Sequence, residues 1–229
     1  MFGNILKKLK KKEIPETAKI DQYEDLFQKA QDFTVKNQFN LDSQTQSTCE
    51  GSVSQLISEI SDILVNEIPK YQQQGFDPIV SFGGDCGNIH FAIINFIKQH
   101  YPNICANITV GGVLISNQPD FKFDQSKCIE WLQNGSPQVL DCHTWITINN
   151  NYILDCTIGT YINTRVDDNH AQNRKNNVYG GLIFGSEDEL EHVAFKGLGA
   201  KTPQDYLNMK YSPVILGIEA FTALAPRQP

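Results

Sequence analysis

The sequence predicts an α+β domain in which helices pack on an antiparallel sheet, and three observations carry that prediction. Val53, Leu56, Ile57, Ile60, Ile63, Leu64 and Ile68 recur at steps of three and four, the mark of one buried helical face. The stretches 106–116 and 139–162 are rich in β-branched and aromatic residues and read as strands. Helical signals come first and strand signals later, which argues against a regular βαβ alternation.

The elements follow in order. Residues 1–12 place Phe2, Ile5, Leu6 and Leu9 on one side and five lysines on the rest. Two readings stand: weak attachment to a membrane surface, or a solvated terminus too short for a stable helix. A helix is expected from Asp21, because Asp21 and Glu24 form a capping-box pattern. The polar run 37–51 reads as a loop. It sets the expected boundary between an N-terminal arm, 1–50, and the main domain, 51–229. Ser52 with Gln55 opens the clearest helix, out to about Tyr71. A further helix is expected from Cys86 to about His100. Then come the strand 106–116, a short helix capped by Ser126 and stopped by Gly135, the strand region 139–162 and a strand at 179–185. Ser186/Glu189 and Thr202/Asp205 mark two short helices. The apolar run 212–225 reads as either strand or buried helix.

The chain has 229 residues, 40% apolar and 20% charged, enough for one domain with a sizeable core. A net charge of −7 and a pI near 5.2 argue against nucleic acid as a partner, since phosphate binding needs a cationic face. No apolar run approaches the roughly 18 residues of a membrane span. The N-terminal lysines lack the apolar stretch of a Sec-type signal peptide. Six cysteines without a C-x-x-C pair then suggest reduced thiols and a cytoplasmic location, with signal-less export left open.

The chemistry starts at "SFGGDCGNIHFAIINFI", residues 81–97. Asp85 is a good N-cap, which puts Cys86 at the first helical position. The exposed N–H groups and positive dipole end of a helix favour a thiolate over a thiol. Gly83 and Gly84 leave room for a substrate. A thiol nucleophile also needs a base. His143 supplies one, at the head of the strand "HTWITI".

The next strand, "YILDCT", follows Asn149-Asn150-Asn151, and Asn tolerates the left-handed backbone that tight loops need. A three-residue loop pairs Ile148 with Tyr152, Ile146 with Leu154 and Trp145 with Asp155. Paired residues share a face, as do residues two apart. His143, Trp145 and Asp155 therefore point the same way, and Asp155 can orient the imidazole. A loop one residue shorter puts Asp155 on the other face. Cys86, His143 and Asp155 are thus the candidate catalytic residues. The Cys86 N–H is a candidate oxyanion donor. Trp145, Asp85 and His90, one turn beyond Cys86, are candidates for substrate binding or oxyanion contact. Each has an alternative: Trp145 as core packing, His90 as a polar helix-edge residue. Asp141 shares the parity of His143 but meets its ring at a poor angle. Cys142 and Cys156 share the face opposite His143 and read as reduced packing residues, with a disulfide or metal pair as the alternative. No cofactor is implied, and the spacing of Cys86, His143 and Asp155 matches no short-range metal motif.

"GGDCGNIHFAIINFI" followed by "CHTWITINNNYILDCTIGTY" resembles the core of the transglutaminase-like superfamily of papain-like cysteine enzymes over residues 80–162. The family's "H-x-W" and "D-x-T" patterns are met by His143-Thr144-Trp145 and Asp155-Cys156-Thr157. The resemblance implies a papain-like fold and a Cys-His-Asp triad acting on a peptide or side-chain amide through a thioester. Acyl transfer to an amine and a catalytically inactive binding module of the same fold are the alternatives. No glutamine shortly precedes Cys86, so the oxyanion side chain usual in papain itself is absent. The loops 116–138 and 163–178 are the expected sources of specificity.

Overall fold

A computed structural model describes residues 22–42, 50–75, 82–115, 118–165, 181–186 and 209–226. The described helices are α1 (Tyr23–Lys36), α2 (Glu50–Gln73), α3 (Cys86–His100), α4 (Gln125–Asn134), α5 (Ile158–Arg165) and α6 (Ile218–Ala223). The strands are β1 (Ala106–Ile115), β2 (Gln118–Phe121), β3 (His143–Ile148), β4 (Tyr152–Asp155), β5 (Ile183–Gly185) and β6 (Lys210–Leu216). They form one antiparallel sheet of six strands. The α+β expectation holds at this level.

β1 is central. Its residues Thr109 to Gly111 pair with both β3 and β6, so these two lie on opposite edges. β2 continues the β3 edge past Gly111, and β4 and β5 extend the sheet beyond β3. Alternation along the strands sends neighbouring side chains to opposite faces, and two of the three buried clusters form there. Ile108, Ile146, Ile148 and Leu154 face Leu56 and Ile60 of α2 and Ile94 and Ile97 of α3. Trp145, Ile153, Tyr211 and Leu216 face Tyr23, Phe27 and Ala30 of α1 and Ile158 of α5.

α1 is part of the core although the sequence assigns it to the arm. Trp145 donates its indole N–H to the Tyr23 hydroxyl at 2.8 Å, and Tyr23 in turn lies 2.6 Å from Thr147 Oγ1. The Leu216 N–H bonds Thr34 Oγ1 at 2.9 Å, which pins α1 to β6. These contacts join residues 122 to 182 positions apart in the sequence, and no local pattern announces them.

Several boundaries differ from expectation. α1 has Gln22 at its N-cap with no side-chain cap bond, and Asp21 of the expected box lies outside the described residues. α2 begins at Glu50, which places Ser52 inside the helix. α4 is capped by Asp124, whose carboxylate accepts from the Lys127 N–H at 2.9 Å, and Ser126 is the second residue of the helix. Residues 158–162 look like strand but form α5. Asp155 Oδ1 accepts from the N–H groups of Thr157 and Ile158 at 2.9 and 3.0 Å, which ends β4 and starts the helix. The ambiguous run 212–225 is both, β6 and then α6. Gly217 separates them at φ 92°, where a Cβ would strike the Asn40 carbonyl. The amphipathic segment 1–12, the two short helices expected after Ser186 and the loop 166–178 lie outside the described residues.

Candidate active site

The β3–β4 hairpin sets the geometry. Its register is Ile146 with Leu154, Thr147 with Ile153 and Ile148 with Tyr152, the pairing of a three-residue loop. Asn149 and Asn150 take φ 51° and 64°, left-handed values that asparagine accepts more readily than most residues. His143 and Asp155 thereby fall on one face, and His143 Nε2 meets Asp155 Oδ2 at 2.6 Å.

The carboxylate is fully occupied. Oδ2 also accepts from the Tyr211 hydroxyl at 3.0 Å, and Oδ1 takes Thr157 N–H, Thr157 Oγ1–H and Ile158 N–H. Asp155 is buried. Burial pushes its pKa up, but the His143 charge and hydrogen bond, with the other donors, hold it well below the usual carboxylate range.

α3 delivers the sulfur. Asp85 caps it: Oδ1 accepts from the Asn88 N–H and Oδ2 from the Asn88 side-chain amide. Cys86 is half-buried at the first turn and lines a cavity of about 650 Å³ together with Asp85, Phe121, Cys142 and His143. A Cβ on Gly84 would meet open space, so the mouth beside the sulfur is clear. The N–H groups of the first helical turn have no intrahelical partner and offer oxyanion contacts.

His143 joins the two parts. Its ring stacks on Phe121, centroids 4.8 Å apart, with Trp145 beyond at 6.2 Å. Nδ1 has no well-formed hydrogen bond among the described residues, and Nε2 is taken by Asp155. Nδ1 is therefore the atom that meets Cys86. Burial would lower the His143 pKa, but Asp155 and the Cys86 sulfur outweigh it and raise the value to about 10. Burial pushes the thiol of Cys128 up to about 12 and those of Cys142 and Cys156 well above the usual range.

The remaining candidates divide. Asp85 lines the cavity. Trp145 is fully buried and its N–H is committed to Tyr23, so it is packing and not an oxyanion donor. His90 is fully buried and is not part of the cavity wall. Its Nδ1 bonds the Cys86 carbonyl at 2.8 Å and its Nε2 accepts from the Cys156 N–H at 3.0 Å. Asp141 turns away to Lys127 at 3.0 Å. Sequence reasoning missed Tyr211, which reaches the site through the β1–β6 pairing, and Phe121, which reaches it from β2 paired to the end of β1. Among the described residues no group of three His, Cys, Asp or Glu is arranged to hold a metal ion, and no helix is long and apolar enough to cross a membrane.

No protein-family model, no curated protein and no solved structure matches the chain.

Proposed function

We propose that the chain is a cysteine-dependent hydrolase of peptide or side-chain amides, with Cys86 as nucleophile, His143 as acid and base, and Asp155 as the residue that orients His143. The observation that carries this reading is the position of His143. One ring nitrogen is fixed on a buried carboxylate at 2.6 Å, and the ring lines a cavity beside a cysteine at a helix start. Cys on a helix start, His on one strand and Asp on the next is also the order in transglutaminase-like enzymes, which supports a papain-like assignment.

The proposed steps balance simply. His143 takes the Cys86 thiol proton, the sulfur attacks the carbonyl carbon, and the C=O electron pair moves to oxygen, where helix N–H groups stabilise it. Collapse breaks the C–N bond, and His143 protonates the departing amine. Water then attacks the thioester and gives a proton to His143, the C–S bond breaks, and His143 returns that proton to the sulfur, releasing the acid and the thiol. The raised His143 pKa suits the acid role first, since the proton is on the ring before the amine leaves. Phe121 and Leu140 in the cavity wall favour an apolar group next to the scissile carbonyl.

Acyl transfer has one observation of its own. Asp85 and Asp120 line the same cavity, and carboxylates there favour an incoming cationic amine over neutral solutes.

Alkylation with iodoacetamide, mapped by mass spectrometry, tests the reading. Cys86 should react below about pH 8 and faster than the other cysteines, and His143→Ala should remove that advantage. Uniform slow labelling of all cysteines sinks the enzyme. Thioester formation with an activated ester, chased by water or by an amine, then separates hydrolysis from transfer.

A further inference from the structure

We propose that His90 is a positioning residue: a neutral imidazole that ties the backbone of Cys86 to the strand end carrying Asp155 and leaves the Asp155 charge to His143. This rests on the nucleophile reading above but makes a separate structural claim.

The hydrogen bonds fix the tautomer. The Cys86 carbonyl only accepts, so His90 Nδ1, 2.8 Å away, carries the hydrogen. The Cys156 N–H only donates, so Nε2, 3.0 Å away, carries a lone pair. Both nitrogens are thus used, by backbone groups, and the ring is neutral. One bond ends on the nucleophile's own carbonyl. The other ends on the residue immediately after Asp155. Through this single side chain the first turn of α3 is held in register with the end of β4.

The charges around the ring agree. The groups facing it are Asp155 from β4, with Oδ1 3.6 Å from Nε2, His143 from β3, with ring centroids 6.4 Å apart, and Cys86 on its own helix. Protonating Nε2 would create a second cation beside Asp155 and break the Cys156 bond. Burial lowers the His90 pKa to about 4; Asp155 opposes that shift and His143 adds to it. Asp155 therefore serves one imidazolium, and the bridge places that imidazolium opposite the sulfur. Misplacement of reacting groups by about 1 Å can reduce rate by roughly 100-fold, which gives such a bridge its value.

Long-range ¹H–¹⁵N spectra of the full chain with labelled histidine at pH 7 test the first half directly. His90 should show a protonated Nδ1 and a bare Nε2; an imidazolium or the opposite tautomer overturns the proposal. The second half needs two variants. His90→Leu removes both bonds, and His90→Gln can donate to one partner and accept from the other. Iodoacetamide alkylation of Cys86 should slow by about 10- to 100-fold in the Leu variant and return to within about threefold in the Gln variant. A Leu variant as fast as wild type, or a Gln variant no better than Leu, overturns the positioning role. If wild-type Cys86 labels no faster than the other cysteines, the nucleophile itself fails, and the tautomer spectrum still decides the bridge.

Discussion

His143 and His90 lie against the same carboxylate, 2.6 and 3.6 Å from the Asp155 oxygens, and both are buried. Their protonation is nonetheless driven in opposite directions, up to about 10 for His143 and down to about 4 for His90. Burial disfavours the charged form of each. The difference lies in what each ring nitrogen meets. His143 offers Nε2–H to a carboxylate and turns Nδ1 toward a sulfur in a cavity. His90 has Nε2 occupied by a backbone N–H, a partner that only a neutral ring can accept. Both rings are fully buried, so what separates their charge states is the set of partners around each ring, with burial driving His90 down and Asp155 and Cys86 carrying His143 up. A protonated and a neutral imidazole can therefore share one carboxylate.

Removing the shared carboxylate is the strongest way to break this contrast. Asp155→Ala leaves His143, the Tyr211 hydroxyl and the N–H groups of Thr157 and Ile158 without their acceptor. The expected loss is about 3–5 kcal/mol of stability, typical of a broken buried pair, read from urea unfolding. Histidine titration by NMR should then find both rings neutral at pH 8. A His143 still protonated there would show that Asp155 does not control it.

The pH dependence of stability separates the two rings next. The folded pKa of His90 lies below its ordinary 6.5, so the fold favours the neutral ring. Stability is intact above pH 6.5 and declines as pH falls toward 4, by about 3 kcal/mol in all. His143 behaves in the opposite sense. Its folded pKa lies above 6.5, so its stabilisation is complete below 6.5 and disappears as pH rises toward about 10. The lowered Asp155 pKa describes the same ion pair from the other side and is counted once; that stabilisation is lost only as acid protonates the carboxylate. Urea midpoints at pH 4.5, 6.5 and 9 should give a dome. His90→Gln should flatten the acid side between 6.5 and 4 and leave the alkaline side unchanged. An unchanged acid slope would assign that decline to other groups.

Tyr211→Phe sharpens the contrast with a smaller change. It removes one donor to Asp155 Oδ2, the oxygen that also holds His143. A hydrogen bond to a charged group contributes about 2 kcal/mol, and the loss should appear in the urea midpoint. Asp155 then leans more on His143, so the His143 titration should move up, while the His90 spectrum stays as it was. Movement of both rings would mean that the Tyr211 hydroxyl organises the whole cluster.

What the sequence makes legible follows the range of each interaction. The hairpin can be read because the strand period and the Asn149–Asn151 loop are local, and they alone decide that His143 and Asp155 share a face. The Cys86 helix start can be read from Asp85 for the same reason. The spacing of His90 from Cys86 is equally plain, but its partner Cys156 is 66 residues away, so the bridge is invisible until β4 is placed. Tyr23 and Tyr211 reach Trp145 and Asp155 across 122 and 56 residues. Trp145 therefore looks available as a donor when its N–H is already committed. Residues 158–162 mislead in a different way. "IGTYI" has strand composition, and one carboxylate, accepting from the next turn, makes it a helix.

The smallest expected effect falls on the loop from which the site's geometry starts. Asn150 sits at φ 64°, where a β-branched side chain crowds the backbone by about 1–2 kcal/mol. Asn150→Val should lower stability by that amount, whereas Asn150→Gly should stay within a few tenths of a kcal/mol of wild type, because glycine enters the left-handed region freely. Neither substitution touches the cavity, whose lining contains no loop asparagine. If the loop matters to the site only through register, both variants that keep the three-residue length should retain the downfield signature of a protonated His143, and Cys86 alkylation should match wild type once the protein is folded. A Val variant that folds but loses the His143 signal would mean that the left-handed pair positions Asp155 more finely than the strand period alone requires.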